Sequence, residues 1–328
     1  MAFVARRLVF YVVAAWVAVT VNFLIPRLIP GNAVTVMMGK YPALQPAAEH
    51  ALDVLLGVGK HNGGIVRQYF SYLGDLLHGN LGTSLSQYPA KVSTLIGQSI
   101  PWTLILVGTA TVVSFVVGTL LGILAAWRRG GWLDQLLPML TFLQATPYFF
   151  LALLAIDAFA LHWHVFPIAG GFSNGLAEGW HWSFIMSAVD HSLLPAITLV
   201  VTSMAGWMLQ MRNVMITTIG EDYVLAAQAK GLSSRRVVFT YAARNAILPN
   251  IAGFALSLGF VIAGALIMEI VFSYPGVGQL LYNAVTSDDG PLMQGVFLVI
   301  ALAVLAASLI ADAVYVVADP RARRQAAY

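Results

Sequence analysis

Six long apolar stretches, at residues 8–29, 99–127, 133–161, 193–212, 249–272 and 292–317, constrain this chain more than any other feature. Each is long enough for a helix to cross about 30 Å of hydrocarbon. Charged residues make up only 9% of the 328 positions and hydrophobic residues 59%, whereas a soluble domain carries roughly 25% charge. So few charges do not cover the surface of a water-soluble protein of this length, and lipid is the solvent that accommodates the excess apolar surface. The sequence therefore predicts an all-α membrane protein. A net charge of +3 gives no compositional support for nucleic-acid binding, and the absence of cysteine excludes a disulfide framework or a thiolate metal site.

Arg6 and Arg7 precede the first apolar run, as in a secretory signal. The run is of span length, and no small-residue cleavage site follows it, which predicts a retained first helix. Basic residues then set the orientation. With the N-terminus in the cytoplasm, Arg6, Arg7, Arg128, Arg129, Arg212, Lys230, Arg235, Arg236, Arg244, Arg321, Arg323 and Arg324 are internal, 12 of the 17 Lys and Arg. Only Arg27, Lys40, Lys60, Arg67 and Lys91 fall outside. Six spans return the C-terminus to the cytoplasm, whereas five or seven would strand one basic terminus outside. Trp102 and Trp163 near outer ends, and Trp127 and Trp132 around the short inner loop, suit the headgroup layer; Trp16 and Trp207 do not fit the belt and read as packing residues. The expected organisation is a first transmembrane helix at 1–29, an extracytoplasmic segment at 30–98, a five-helix core at 99–317 carrying a cytoplasmic loop at 213–248 between the fourth and fifth spans, and a cytoplasmic tail at 318–328.

Two segments are too long to be simple connectors. In the outer one, Tyr69, Tyr72, Leu73, Leu76 and Leu77 recur at helical spacing, so residues 65–84 are expected to hold a short amphipathic helix, broken by Gly79 and Gly82. The inner one reads EDYVLAAQAKGLSSRRVVFTYAARNAILPN from Glu221 to Asn250. Glu221 and Asp222 sit where a helix N-terminus favours acids, and Gly231 offers a left-handed stop. Ser233 or Ser234 is a candidate cap for a second helix through Ala246. The expected result is a short helix across the cytoplasmic face with a fixed glycine corner.

This loop resembles the cytoplasmic signature of permease subunits in binding-protein-dependent ABC importers, Glu-Ala-Ala, three residues, then Gly, here Leu225, Ala226, Ala227 and Gly231. Leu in place of Glu, and a Leu248-Pro249 pair displaced downstream, match the oligopeptide/dipeptide/nickel branch, whose loops resemble YVxxAxAKGL…RNAxLP. Residues 269–278 (EIVFSYPGVG), 312–321 (DAVYVVADPR) and 79–84 (GNLGTS) resemble the same branch, so the likeness spans nearly the whole chain. A first span followed by a long outer segment is typical of its B-type subunit. The resemblance implies a pore-forming permease of the bacterial inner membrane that pairs with a second, homologous permease. Two cytoplasmic ATPases, as subunits or domains, and an extracytoplasmic solute-binding protein complete the expected set of partners. It implies that the loop helix docks in a groove on the ATPase, with Asp222, Tyr223, Ala226, Ala227, Lys230, Gly231 and Arg244 as the coupling residues. Peptides are the first expected cargo, with nickel chelates or glutathione as the alternatives.

No G-x-x-x-x-G-K-[ST] phosphate loop occurs, so ATP and Mg are expected on partner ATPases, with no cofactor, metal or catalytic residue on this chain. Asp157, Glu269 and Asp312 lie within or near the ends of apolar spans, where a buried acid costs at least ~2.5 kcal/mol. Glu269 and Asp312 are candidates for the pore or an interface; positions near the span ends favour interhelix anchors for all three acids, and acids so far apart make a poor proton pathway. His162, His164, His181 and His191 cluster in outer segments without a recurring chelating spacing. Ala255, Gly259 and Ala263, four residues apart, are candidates for a close helix seam, either an interface with a partner permease or packing within the subunit, and Gly259 and Ala263 join Glu269 and Asp312 as candidates for the pore or an interface. A self-sufficient secondary transporter would call for paired repeats, and none is evident; an intramembrane protease would call for an H-E-x-x-H helix or a Ser/His pair, and neither stands out.

Overall fold

The computed structural model describes residues 2–28, 64–259, 261 and 265–318. Among the described residues the regular structure is helical, apart from a single bridge pairing Thr83 with Lys91. Helix α1 (Ala2–Leu28) is followed by α2 (Ile65–Leu77), α3 (Val92–Trp127), a single turn α4 (Trp132–Gln135), α5 (Leu137–Ala145) and α6 (Tyr148–Ala155, continued by a π-helical turn Ile156–His162). Then come α7 (Trp182–Ile219) and α8 (Asp222–Ala229). Helix α9 is made of Ser234–Arg236, a π-helical stretch Val237–Ala242 and Ala243–Ala246. The chain continues with α10 (Leu248–Gly259), α11 (Leu266–Val271), α12 (Val277–Thr286) and α13 (Gly290–Ala318).

Three helices, Val92–Trp127, Trp182–Ile219 and Gly290–Ile310, are long and apolar enough to cross a membrane, or four spans if α5 and α6 count as one. Val9–Ile25 and Leu248–Leu258 are shorter apolar helices. The stretch 133–161, expected as one straight span, is instead bent by 102° between α5 and α6. The cause is Pro147. It has no N–H to donate and forces its predecessor out of the helical region; Thr146 has φ −81° and ψ 130°. Helix α3 begins at Val92, before the expected start at 99, because Val92, Leu95 and Ile96 bury one stripe against Val277, Leu280, Leu292 and Val296.

The centre of the molecule is the contact between α3 and α7. Gly118 and Gly122 on α3 let the backbones touch: a Cβ at Gly118 would lie 2.7 Å from the Met204 carbonyl oxygen, and one at Gly122 would lie 2.6 Å from that of Met208. This is the small-xxx-small arrangement that brings membrane helices together. Of the residues expected to form such a seam, Ala255 and Gly259 lie on α10 and Ala263 lies outside the described residues.

Helix α1 runs antiparallel to α13 and is pinned at both ends. Arg7 pairs with Asp312, the Tyr11 hydroxyl donates to the same carboxylate at 2.7 Å, and Asn22 Nδ2 donates to the Gln294 carbonyl at 2.8 Å. Helix α2 leans on the same region. Phe23 is buried against the rings of Tyr69 and Tyr72 (centroids 5.2 and 5.5 Å), Tyr69 Oη lies 2.7 Å from Thr20 Oγ1, and Tyr72 Oη accepts from Asn22 Nδ2 at 3.2 Å. The helix ends at Leu77 rather than continuing towards 84, and Leu77 itself is exposed. Trp16, expected to pack, stands instead on the exposed face of α1, whereas Trp207 packs edge-on against Phe115.

Candidate functional site

The loop from Glu221 to Asn250 folds as two helices joined at a glycine. Gly231 has φ +71°, and two hydrogen bonds close the turn: Gly231 N–H to the Gln228 carbonyl (2.9 Å) and Leu232 N–H to the Ala227 carbonyl (3.4 Å). This pairing is the Schellman termination, which calls for a left-handed residue just past the helix end. Ser233 takes the cap position of α9 by its backbone, with no hydrogen bond from its side chain. Helix α8 buries Val224 and Ala227 against Met211 and Met215 of α7, Ile123 and Ala126 of α3, and Val237 and Val238 of α9. The loop is therefore fastened to the two central helices rather than suspended from them. Asn245 Nδ2 donates to Tyr223 Oη at 2.9 Å and ties α8 to the end of α9.

Asp222, Tyr223, Leu225, Ala226, Lys230, Gly231 and Arg244 are exposed, while Ala227 faces inward. A Cβ built on Gly231 meets nothing within 4 Å. The outward face of α8 thus presents Tyr223, Leu225, Ala226 and Lys230 beside an open corner at Gly231.

Between α3, α5, α7 and α10 lies a cavity of about 650 Å³, lined by Thr111, Ser114, Gln144, Gln210, Asn213 and neighbouring residues. A second, of about 290 Å³, shares Thr111, Ser203 and Ser257 with it and continues towards Tyr148 and Val261. Neither lining includes a charged side chain. On α7 the lining residues Ser203, Gly206, Gln210 and Asn213 fall three or four apart, on one helical face. Trp207 also lines the larger cavity, and its ring packs against the stacked pair Phe115 and Phe254 (4.2 Å). The sequence carried this stripe of polar residues in an apolar span as a signal, but not which helices would face it.

Glu269 and Asp312, the sequence's candidates for the pore or an interface, are both engaged within the chain. Glu269 is 1% exposed and accepts from the Thr103 hydroxyl (2.7 Å) and the Gly278 N–H (2.6 Å), while Thr103 Oγ1 accepts from the Val277 N–H (2.8 Å). Together they satisfy free N–H groups in the first turn of α12. Asp312 holds α1 to α13. Asp157 is exposed on the π-helical turn after α6. Sequence reasoning passed over Asp289, which is fully buried. It accepts from Ser84 Oγ (2.5 Å), from Ser86 Oγ (2.7 Å) and N–H (2.8 Å), and from the Leu292 N–H (3.1 Å), clamping the residues after α2 to the start of α13. An Asp directly before Gly290-Pro291 is a helix-start signal that would have found it. Among the described residues no group of three or more His, Cys, Asp and Glu is placed to hold a metal ion.

Long apolar helices, a polar cavity sunk between them and a rigid loop fastened to the helices around that cavity define a multi-pass membrane permease. A family model for the inner membrane component of binding-protein-dependent transport systems matches residues 118–324. The chain is 34% identical to the di/tripeptide transport system permease protein of Pseudomonas aeruginosa (strain UCBPP-PA14), covering 99% of each. It is 34% identical to a putative peptide permease of Brucella suis biovar 1, over 91% of this chain and 92% of the relative. It is 31% identical to the dipeptide transport system permease protein of Escherichia coli (strain K12), over 98% and 99%. The chain belongs to the family of inner membrane components of binding-protein-dependent transport systems.

Proposed function

We propose that this chain is one of two pore-forming permease subunits of an ATP-driven importer that carries di- or oligopeptides across the bacterial inner membrane. The observation that carries this reading is the uncharged polar cavity between otherwise apolar helices, a path suited to a water-soluble solute rich in amide groups. The relatives named for peptide transport support the same cargo. Six spans are proposed: α1, α3, the bent pair α5–α6, α7, the α10–α11 region and α13, with both termini cytoplasmic and the segment 30–98 outside. The basic asymmetry supports that orientation. Reporter tags after Arg129 and after Arg324 are expected to be cytoplasmic, and a tag near residue 60 external; an external C-terminal tag overturns the six-span arrangement.

The exposed face of α8 is the proposed docking site for a cytoplasmic ATPase, with Asp222, Tyr223, Ala226, Lys230, Gly231 and Arg244 at the contact and Ala227 supporting it from inside. The packing of α8 against α3 and α7 supports a direct transmission. When the ATPase pair closes on ATP, movement of α8 carries the helices that line the cavity. ATP and Mg are bound by the ATPases, and the external binding protein delivers the peptide.

The test is reconstitution in proteoliposomes with a homologous permease, the ATPases and the binding protein. ATP-dependent accumulation of labelled di- and tripeptides is expected, and none without the binding protein. If the complete assembly hydrolyses ATP but accumulates no peptide, the cargo assignment is wrong.

A further inference from the structure

We propose that the cavity recognises the peptide group itself and is indifferent to the charge of the cargo, with Gln144, Gln210 and Asn213 making the contacts. This inference rests on the peptide reading above and adds a selectivity rule to it. The hydroxyls of Thr111, Ser114, Thr141 and Ser257 each donate to a carbonyl on their own helix, at 2.6, 3.0, 2.9 and 2.8 Å. They offer the cavity only lone pairs. The carboxamides of Gln144, Gln210 and Asn213, by contrast, make no hydrogen bond among the described residues and face the same space. Gln144 Nε2 and Gln210 Nε2 lie beside the helix backbone at Gly206 and Gly253, 3.7 and 4.0 Å from where a Cβ would stand.

A carboxamide both donates and accepts, and so does every non-proline peptide unit, whatever its side chain. The three free carboxamides therefore match a feature that peptides share whatever their side chains. No charged side chain lines the cavity. Arg212, beside Asn213 in sequence, is directed instead to Asp134, with Nε 2.9 Å from Oδ1. A charge in this lining would hold cargo of opposite sign and repel cargo of like sign, strongly so away from bulk water. An uncharged lining avoids both effects for a cargo whose own termini carry opposite charges.

The experiment compares Gln210→Glu and Gln210→Lys in the reconstituted complex, using labelled acidic, neutral and basic tripeptides. The readout is the ratio of acidic to basic peptide uptake relative to the unsubstituted complex. Gln210→Glu is expected to lower the ratio about tenfold and Gln210→Lys to raise it by a similar factor, with neutral peptide the least affected. Asn213→Asp and Asn213→Lys repeat the test at a second position should either Gln210 variant fail to assemble. If the unsubstituted complex imports all three classes and the charged variants leave the ratio unchanged, the cavity does not read the cargo as inferred. If the unsubstituted complex imports no peptide of any class, the peptide reading falls and this rule with it.

Discussion

Gly231→Phe is expected to leave the importer assembled and its ATPases active while cutting coupled uptake about tenfold or more. The corner holds Gly231 at φ +71°, a conformation that costs a non-glycine L-residue about 1–2 kcal/mol. Since 1.4 kcal/mol corresponds to about tenfold in an equilibrium, strain alone shifts the balance away from the correctly formed corner by about that factor. The benzyl group adds a second effect. A Cβ at this position meets nothing within 4 Å, so the side chain starts into open space and its bulk falls on the face proposed for docking. Gly231→Asn separates the two effects, because asparagine tolerates the left-handed conformation; it is expected to lose less uptake than Phe. Ser234→Ala is expected to be nearly silent, since Ser234 is exposed. The measurements are uptake and solute-stimulated ATPase activity in proteoliposomes, with a pull-down of the ATPase subunits. Import at the parental rate by an assembled Gly231→Phe complex removes α8 as the coupling site.

Gly122→Leu is expected to have the larger effect on the protein itself, abolishing a well-folded permease. A Cβ there would stand 2.6 Å from the Met208 carbonyl oxygen and 2.8 Å from Met211 Cβ. The first of these is backbone within a long helix, so relief requires α3 and α7 to separate. Overpacking of this kind costs about 1–3 kcal/mol or more, and separation also loosens Met211 and Met215 from the loop they support. Gly108→Ala on the same helix meets nothing within 4 Å and is expected to be neutral or slightly stabilising, since alanine is the better helix former. Thermal unfolding and size-exclusion profiles of the detergent-solubilised chain distinguish the two variants. A Gly122→Leu protein that melts with the parent would show that the α3–α7 contact is looser than described.

Most of the loop was legible in the sequence because its signals are local. The glycine at the corner, the acids at the start of α8 and the break between two helix-forming runs all act on backbone a few residues away. The stripe of Tyr69, Tyr72, Leu73 and Leu76 marked α2 for the same reason, while the hydrogen bonds that set its resting place come from Thr20 and Asn22, about fifty positions earlier. Pro147 does not interrupt the apolar run by hydropathy, which counts side chains and ignores the N–H that proline lacks.

What the sequence by itself determined is the solvent of the chain, the apolar segments available to cross it, the asymmetry of basic residues along it and the turn at Gly231. Each follows from composition or from neighbours in the chain. What only the tertiary structure decided is which faces meet. Gly118 and Gly122 became the seam because they lie opposite Met204 and Met208, and Ser203, Gln210 and Asn213 came to line a cavity because α3, α5 and α10 surround that face of α7. Glu269 became the clamp of the α12 turn because Thr103 stands beside it. In a span that is apolar almost all round, helical period does not specify which face finds a partner, and that choice is made by close packing between segments distant in sequence.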